Sequence, residues 1–513
     1  MKRALFALWW VVAIGVAAPV AQCAPTLRPL PRTVLEDKVR GGWAGQMVGV
    51  AFAAKHEFVS NGAVLEGQLP WSPQMVANAL SQDDLYVEMT FAQVMDQYGI
   101  DASAEHYAAA FAASQYKLWH ANARARLLLQ NGVAPPWSGH PRYNPHANDI
   151  DFQIEADFIG LMSPGLPHTT NRLADRIGHL VGYGDGVYGG MFVAAMYAAA
   201  FFESNPRTVV ETALRSLPAD SRYARTVADV LAIHAQHPDN WRTGWQQVTQ
   251  RWDVDDADDE GSLLPFNIDA HLNGAYVVLA LLYGQADMQR TLEIATRAGQ
   301  DADCNASTAA GVLGVIRGYA ALPAQWTSGI PALAGQRFDY TDYTFESIVA
   351  STLARAEQVV IAAGGSATAQ VLHVPLQTPI AAALEQWDAG VPEQAIAFDS
   401  PAWQWRGPWT ATTKARSTAT AGASARLQFN GVGVMLVGKL VPAGGRADVF
   451  IDGQHVGMLD AYIPERTFDR ALWWHHGLAP GQHELQLVLR ADAHPRSTGR
   501  ELNLERAVIY RAR

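Results

Sequence analysis

Small residues recur at every fourth position in three separate stretches, and no other feature of this chain constrains its fold so strongly. Gly41, Gly45, Gly49 and Ala53 form the first stripe; Gly186, Gly190, Ala194 and Ala198 the second; Ala306, Ala310, Gly314 and Gly318 the third. Residues four apart share one helix face. Helix axes approach to a distance set by the side chains at the contact, so these stripes predict unusually close crossings. Each glycine costs a helix about 0.8–1 kcal/mol relative to alanine, which tertiary packing has to offset.

The third stripe follows two carboxylates one residue apart, Asp301 and Asp303. The pattern predicts two carboxylates held at the N-terminus of a deeply buried helix. A helix N-terminus favours negative charge by itself, by roughly 0.3–1 kcal/mol per group. A plain N-cap role for Asp303 or Asn305 is therefore the competing account.

A second carboxylate pair stands in Ser81-Gln82-Asp83-Asp84, ahead of Leu85, Met89, Ala92 and Met95. That apolar spacing predicts a helix, with Ser81 as N-cap and Asp83 and Asp84 in its first turn. Further on, residues 148–157 interleave acids with apolar residues. On a helix Asp151 and Glu155 share a face, and a buried acidic face needs a cation or protons. Asp149 lies in the same run, and Asp185 stands just before the second stripe. The run 253–260 is strongly acidic and reads as a solvated loop, its spacing lacking a calcium-loop pattern. Residues 131–147 are rich in Pro and Gly and read as a lid or binding loop.

Helical patterning continues to about residue 360, so residues 33–360 are expected to be an all-α domain. Residues 361–395 show no clear period and read as a linker. From 396 to 513 short alternating runs separated by Gly/Pro turns predict a β-sandwich, with Asp452-Gly453 as a hairpin turn. Trp403, Trp405, Trp409, Trp473 and Trp474 are concentrated there and are read first as core, with carbohydrate binding by the module as the minority reading. The 49% apolar and 17% charged composition suits large buried cores. A net charge of −11 without basic clusters excludes a nucleic-acid partner.

Met1-Lys2-Arg3 leads into an apolar run and then small residues, the pattern of a signal peptide over residues 1–23. The expectation is a periplasmic or secreted protein with no membrane span after signal removal. Cys304 would then be the only thiol.

Three segments resemble the ADP-ribosylglycohydrolase family over roughly residues 36–335. Gly45-Gln46-Met47-Val48-Gly49 resembles the family's Gly-Asp-x-x-Gly segment. Gln82-Asp83-Asp84-Leu85 resembles its Thr-Asp-Asp-Thr motif. Gly299-Gln300-Asp301-Ala302-Asp303-Cys304 resembles its Gly-Gly-Asp-x-Asp-Thr ending. The resemblance implies an all-helical fold that binds one or two Mg²⁺ or Mn²⁺ ions, with Gln82, Asp83, Asp84, Asp301 and Asp303 as ligands. It also implies cleavage of a glycosidic bond. Gln82 and Cys304 replace the family's hydroxyl ligands, and a thiol suits Mg²⁺ poorly. Glu57 is the candidate general acid/base near the family's catalytic position. Asp149, Asp151, Glu155 and Asp185 are the alternatives.

The leading expectation is an exported, metal-dependent glycoside hydrolase acting on a small-molecule or glycan substrate. Removal of ADP-ribose from a modified target and non-catalytic binding of a glycan or nucleotide sugar are the other two readings. The oligomeric state is left open.

Overall fold

The computed structural model describes residues 27–254, 256–464 and 470–513. The expected signal peptide lies outside these residues. Among them, no helix is long and apolar enough to cross a membrane.

Residues 32–362 form a helical domain. Five of its helices position the site: α1 (Arg32–Ala53), α2 (Asp83–Tyr98), α3 (Asp185–Ala200), α4 (Ala270–Gly284) and α5 (Ala302–Arg317). The first and third stripes face each other, and α1 and α5 cross in opposite directions. A β-carbon added at Gly41, Gly45 or Gly49 would collide with the carbonyl oxygen of Gly314, Ala310 or Ala306, respectively. Only glycine fits at such an approach. The second stripe, on α3, seats the start of the 148–157 segment instead: Gly186 abuts the Ala147 carbonyl and Gly190 the Phe152 ring. Nearly all of α1 from Gly41 onward is buried, as are α4 and all of α5 except its last residue.

The segment expected as a linker is tied down along its length. Strand β1 (Leu27–Pro31) pairs with β3 (Val371–Pro375), which pairs with β2 (Ser366–Ala367). Beyond it, the Ala382 amide donates to Ser216 O at 3.0 Å. Tyr188 Oη donates to Ala383 O at 2.9 Å, and Glu385 pairs with His179 at 2.7 Å. Residues 361–395 lack a local period because their partners are distant in sequence. The last of them already lie in β4 (Val391–Ala397).

All pairs of named strands in the C-terminal unit are antiparallel, and two isolated bridges, Val441–Tyr462 and Gly444–Glu501, are parallel. Its remaining strands are β5 (Trp403–Arg406), β6 (Thr410–Ala411), β7 (Arg416–Thr418), β8 (Ser424–Lys439), β9 (Gly445–Ile451), β10 (Gln454–Asp460), β11 (Ala471–Ala493) and β12 (Leu502–Arg511). The two long strands β8 and β11 pair with each other at both ends but have different outer neighbours at each. Toward one end β8 pairs with β12, and β12 with β4; toward the other β8 pairs with β5 and β11 with β9. Gly431, Gly433 and the register slip between His476 and Gly481 mark the bend. The sheet thereby folds over one apolar core containing Leu427, Leu436, Val449 and Leu487. Asp452 and Gly453 join β9 to β10 with φ of 51° and 76°, a two-residue turn of the kind favoured in hairpins.

Trp403 belongs to that core, and Trp405, Trp409 and Trp473 pack against it. Trp474 faces the helical domain, its Nε1 donating to Pro141 O at 2.8 Å. Tyr510 Oη donates to Ala257 O at 2.6 Å and Arg506 Nη2 to Asp259 O at 2.7 Å. The described acids of the run 253–260 therefore do not form a solvated loop. Asp256, Asp258 and Asp259 are buried, and Ala257 packs with Met435, Val508 and Tyr510. The second half of the 131–147 loop is likewise mostly buried, from Ser138 to Ala147.

Candidate active site

Helix α2 begins at Asp83, with Gln82 rather than Ser81 as its N-cap. Helix α5 begins at Ala302, with Asp301 as N-cap, and neither N-cap side chain makes a capping hydrogen bond. The plain capping account thus loses its geometry. A turn delivers Asp301: Gly299 and Gln300 both adopt positive φ, 84° and 55°. Gln300 N donates to Ser60 O at 3.0 Å, and Phe58 N donates to Gln300 O at 2.9 Å. The same pairing holds Glu57 beside Asp301 and Asp303. Gln300 Oε1 accepts from Asn267 N at 2.9 Å, fixing the turn from the other side.

The two helix N-termini meet. Cys304 Sγ donates to Asp84 Oδ2 at 3.5 Å, and the ligand atoms of Asp301, Asp303 and Cys304 lie within 4.8 Å of one another. One oxygen each of Asp84, Asp301 and Asp303 is buried without a hydrogen-bond partner. Burial raises the pKa of all four aspartates. Asp303 reaches about 8, with the Glu57 and Asp83 charges adding to burial. Asp84 and Asp301 are pushed well up, chiefly by burial and then by the Asp303 charge; Asp83 rises through burial. Buried carboxylates that crowd one another are stable as anions only with a compensating cation. Hard oxygen donors from two directions suit Mg²⁺ or Mn²⁺, so these residues fit the ion that the sequence implies.

Glu57 remains exposed as a residue, yet partial burial of its carboxyl, with the Asp83 charge, raises its pKa. It stands at the solvent side of the cluster. Gln82 is turned elsewhere, its Nε2 donating to Asn78 Oδ1 at 2.7 Å in the preceding turn. The residue before the first helical position is extended and half-exposed, which lets its amide fold back.

Asp151 and Glu155 do share a face, as expected, and both bind Asn122. The Asn122 amide donates to Asp151 Oδ1 at 2.8 Å, and its side-chain nitrogen donates to Glu155 Oε1. Burial pushes Asp151 up to about 7 and Glu155 well above the carboxylate range, and the Asp83 charge adds to both. They form a second rank behind Asp83 and Asp84. Asp149 joins a different group, its Oδ2 lying 2.9 Å from His146 Nδ1. Asp185 is apart from both, accepting from Tyr223 N at 3.1 Å and lining a cleft of about 800 Å³ with Arg222, Trp387 and Arg513. Neither the acidic cluster nor its aromatic wall lines that cleft.

Beside the carboxylates, Cys304 packs with Ile150, Ile154 and Ile268, against which Phe58 and Phe266 lie. The Phe58 and Phe266 rings are 4.8 Å apart, and His120 stacks on Phe266 at 5.8 Å. Sequence reading missed this wall, since its rings come from two loops and the start of the His120–Gln130 helix, with no shared period.

The ADP-ribosylglycohydrolase family model matches residues 31–363. The chain belongs to this family. It is accordingly a hydrolase of the ADP-ribosylglycohydrolase fold, extended by the β unit. Among solved structures, an "ADP-ribosylglycohydrolase-related protein complex" is 17% identical, covering 64% of this chain and 99% of that one with a TM-score of 0.44. A family two carbohydrate esterase from Clostridium thermocellum in complex with cellohexaose is 18% identical over 20% of this chain and 30% of its own (TM-score 0.16). A two-domain esterase active on acetylated mannans is 14% identical over 33% and 47% (TM-score 0.21). No curated protein matches the chain.

Proposed function

We propose that this protein is an exported glycoside hydrolase that works with Mg²⁺ or Mn²⁺ held by Asp83, Asp84, Asp301 and Asp303. The observation that carries the reading is the convergence of these carboxylates from two helix N-termini, with one buried oxygen each of Asp84, Asp301 and Asp303 that no protein donor satisfies. The bound cation supplies charge compensation, a hold on vicinal sugar hydroxyls and polarisation of a water. Asp301 and Asp303 present their oxygens from the start of α5, and Asp83 and Asp84 from the start of α2. Glu57, with its raised pKa and solvent-facing position, protonates the leaving oxygen or nitrogen. Glu155, its pKa pushed well up by burial, and Asp151, raised to about 7, hold Asn122 in place behind the cluster. The apolar surface of Phe58, Phe266 and Cys304 limits water on one side. The signal-like N-terminus supports export, and the β unit serves here as a part of the enzyme's body.

The test is a product screen on purified protein against furanosides, pyranosides and ADP-ribosyl-arginine, each with Mg²⁺ and with EDTA. EDTA-sensitive sugar release that Asp303→Asn abolishes is expected. The Phe58 and Phe266 rings, with His120 stacked on Phe266, favour a second reading, ADP-ribose as the sugar, because a purine needs such a surface. Release of ADP-ribose alone would select it. Ligand binding without turnover would count against both and leave a binding protein.

A further inference from the structure

A second group of metal-ligating side chains lies outside the aspartate cluster, where three distant segments meet. His120 begins the His120–Gln130 helix, His146 and Asp149 come from the buried end of the 131–147 loop and just beyond, and Asp258 and Asp259 come from the acidic run. One ligand atom from each of His120, His146, Asp149 and Asp258 lies within 4.8 Å of the others. His146 Nδ1 is 2.9 Å from Asp149 Oδ2 and 3.5 Å from Asp258 Oδ2. On the opposite edge of the ring, Nε2 is 3.4 Å from Asp259 Oδ1. The His146, Asp149 and Asp258 side chains are each 1% exposed. His146 Nε2, Asp149 Oδ1 and Asp258 Oδ2 are buried without a hydrogen-bond partner.

We infer that these four side chains form a site for a divalent transition ion, Zn²⁺ by its chemistry, distinct from the Mg²⁺/Mn²⁺ cluster. Two imidazoles with two carboxylates are a borderline-soft nitrogen and oxygen set, which favours Zn²⁺ over Mg²⁺. Zinc bonds of 2.0–2.2 Å in a tetrahedron place ligand atoms about 3.3–3.6 Å apart. Of the two separations at His146 Nδ1, the 3.5 Å to Asp258 lies within that range and the 2.9 Å to Asp149 below it. Asp259 takes the role of the outer carboxylate that orients a ligating imidazole, its Oδ1 facing Nε2. The β unit holds Asp259 in turn: Arg470 N donates to its Oδ2 at 3.0 Å, and Arg506 Nη2 to its carbonyl at 2.7 Å. Four protein ligands in a buried setting leave no open position, so the ion is structural. It joins the wall that carries His120 to the run on which the β unit sits. The competing account is a protonated His146 clamped by its aspartates, with no metal.

The test uses the full chain in the Asp303→Asn background, stripped with chelator and reloaded with Zn²⁺ or Co²⁺. One zinc per chain surviving gel filtration is expected, with Co²⁺ giving the intense visible d–d bands of a tetrahedral site. His146→Gln and Asp258→Asn should each lose both signals. Zinc retained equally in His146→Gln would overturn the assignment, as would absence of the tetrahedral cobalt spectrum in the Asp303→Asn chain. The cobalt spectrum decides by itself where the ligand variants do not fold.

Discussion

Cys304 Sγ lies 3.5 Å from Asp84 Oδ2 and links the first turn of α5 to the first turn of α2. The thiol occupies the place where the family's motif has a hydroxyl, amid four carboxylates. Burial and the Asp301 and Asp84 charges push its pKa well up, so it stays a thiol and offers no hard oxygen. Replacing it with Thr returns an oxygen at nearly constant volume. Cys304→Thr should tighten Mg²⁺ binding by up to about tenfold, about 1.4 kcal/mol. Isothermal titration of the two proteins checks this, and unchanged affinity would remove Cys304 from the ion's surroundings.

The crossing of α1 over α5 sets where Asp301 and Asp303 sit. A β-carbon at Gly45 would meet the Ala310 carbonyl, a backbone atom that moves only with its helix. Gly45→Ala should destabilise the protein by about 1–3 kcal/mol, the usual range for overpacking. Chemical denaturation is the measurement. A loss within 0.5 kcal/mol would mean that the helices separate at little cost.

Asp303 has its pKa raised to about 8 in the folded protein, above the unfolded value near 3.8. A carboxyl raised in this way binds more protons when folded. Its contribution to the stability of the metal-free protein is present at low pH and is lost as pH rises toward 8. A cation displaces that proton, so binding releases protons and strengthens with pH. The rise in Tm on adding Mg²⁺ should therefore grow between pH 6 and pH 8.5. A rise that is flat or shrinks over that range would contradict the assignment of Asp303 as a ligand.

Tyr510 is buried in the β unit and donates to Ala257 O at 2.6 Å across to the acidic run. Tyr510→Phe leaves that carbonyl without its partner, at a cost of about 1–3 kcal/mol. Thermal unfolding followed by separate helical and β-sheet signals should show both parts weakened together. A shift confined to the sheet signal would mean that the contact does not couple them.

Much of this was legible in the sequence because it is local and periodic. The stripes at Gly41–Ala53 and Ala306–Gly318 announce close helix packing, and the structure adds that they pack on each other. Asp83, Asp84, Asp301 and Asp303 stood out through helix-start spacing, and Asp452-Gly453 through turn chemistry. What the sequence could not convey is what covers a segment. The 253–260 acids read as solvated because their cover, Tyr510, Met435 and Arg470, lies far along the chain. Asp149 looked equivalent to Asp151, and only the fold turns one toward His146 and the other toward Asn122. Phe58, Phe266 and His120 share no period, so their contact had no sequence signal.

The central claim is that the aspartates at the starts of α2 and α5 hold a catalytic cation. Titration of Mn²⁺ into the chelator-stripped protein at pH 8, followed by the electron paramagnetic resonance of free Mn²⁺, tests it most directly. The account predicts that the full chain depletes the free-ion signal and that Asp84→Asn and Asp303→Asn each bind at least one equivalent fewer. Identical titration curves for the unaltered chain and both variants would contradict it.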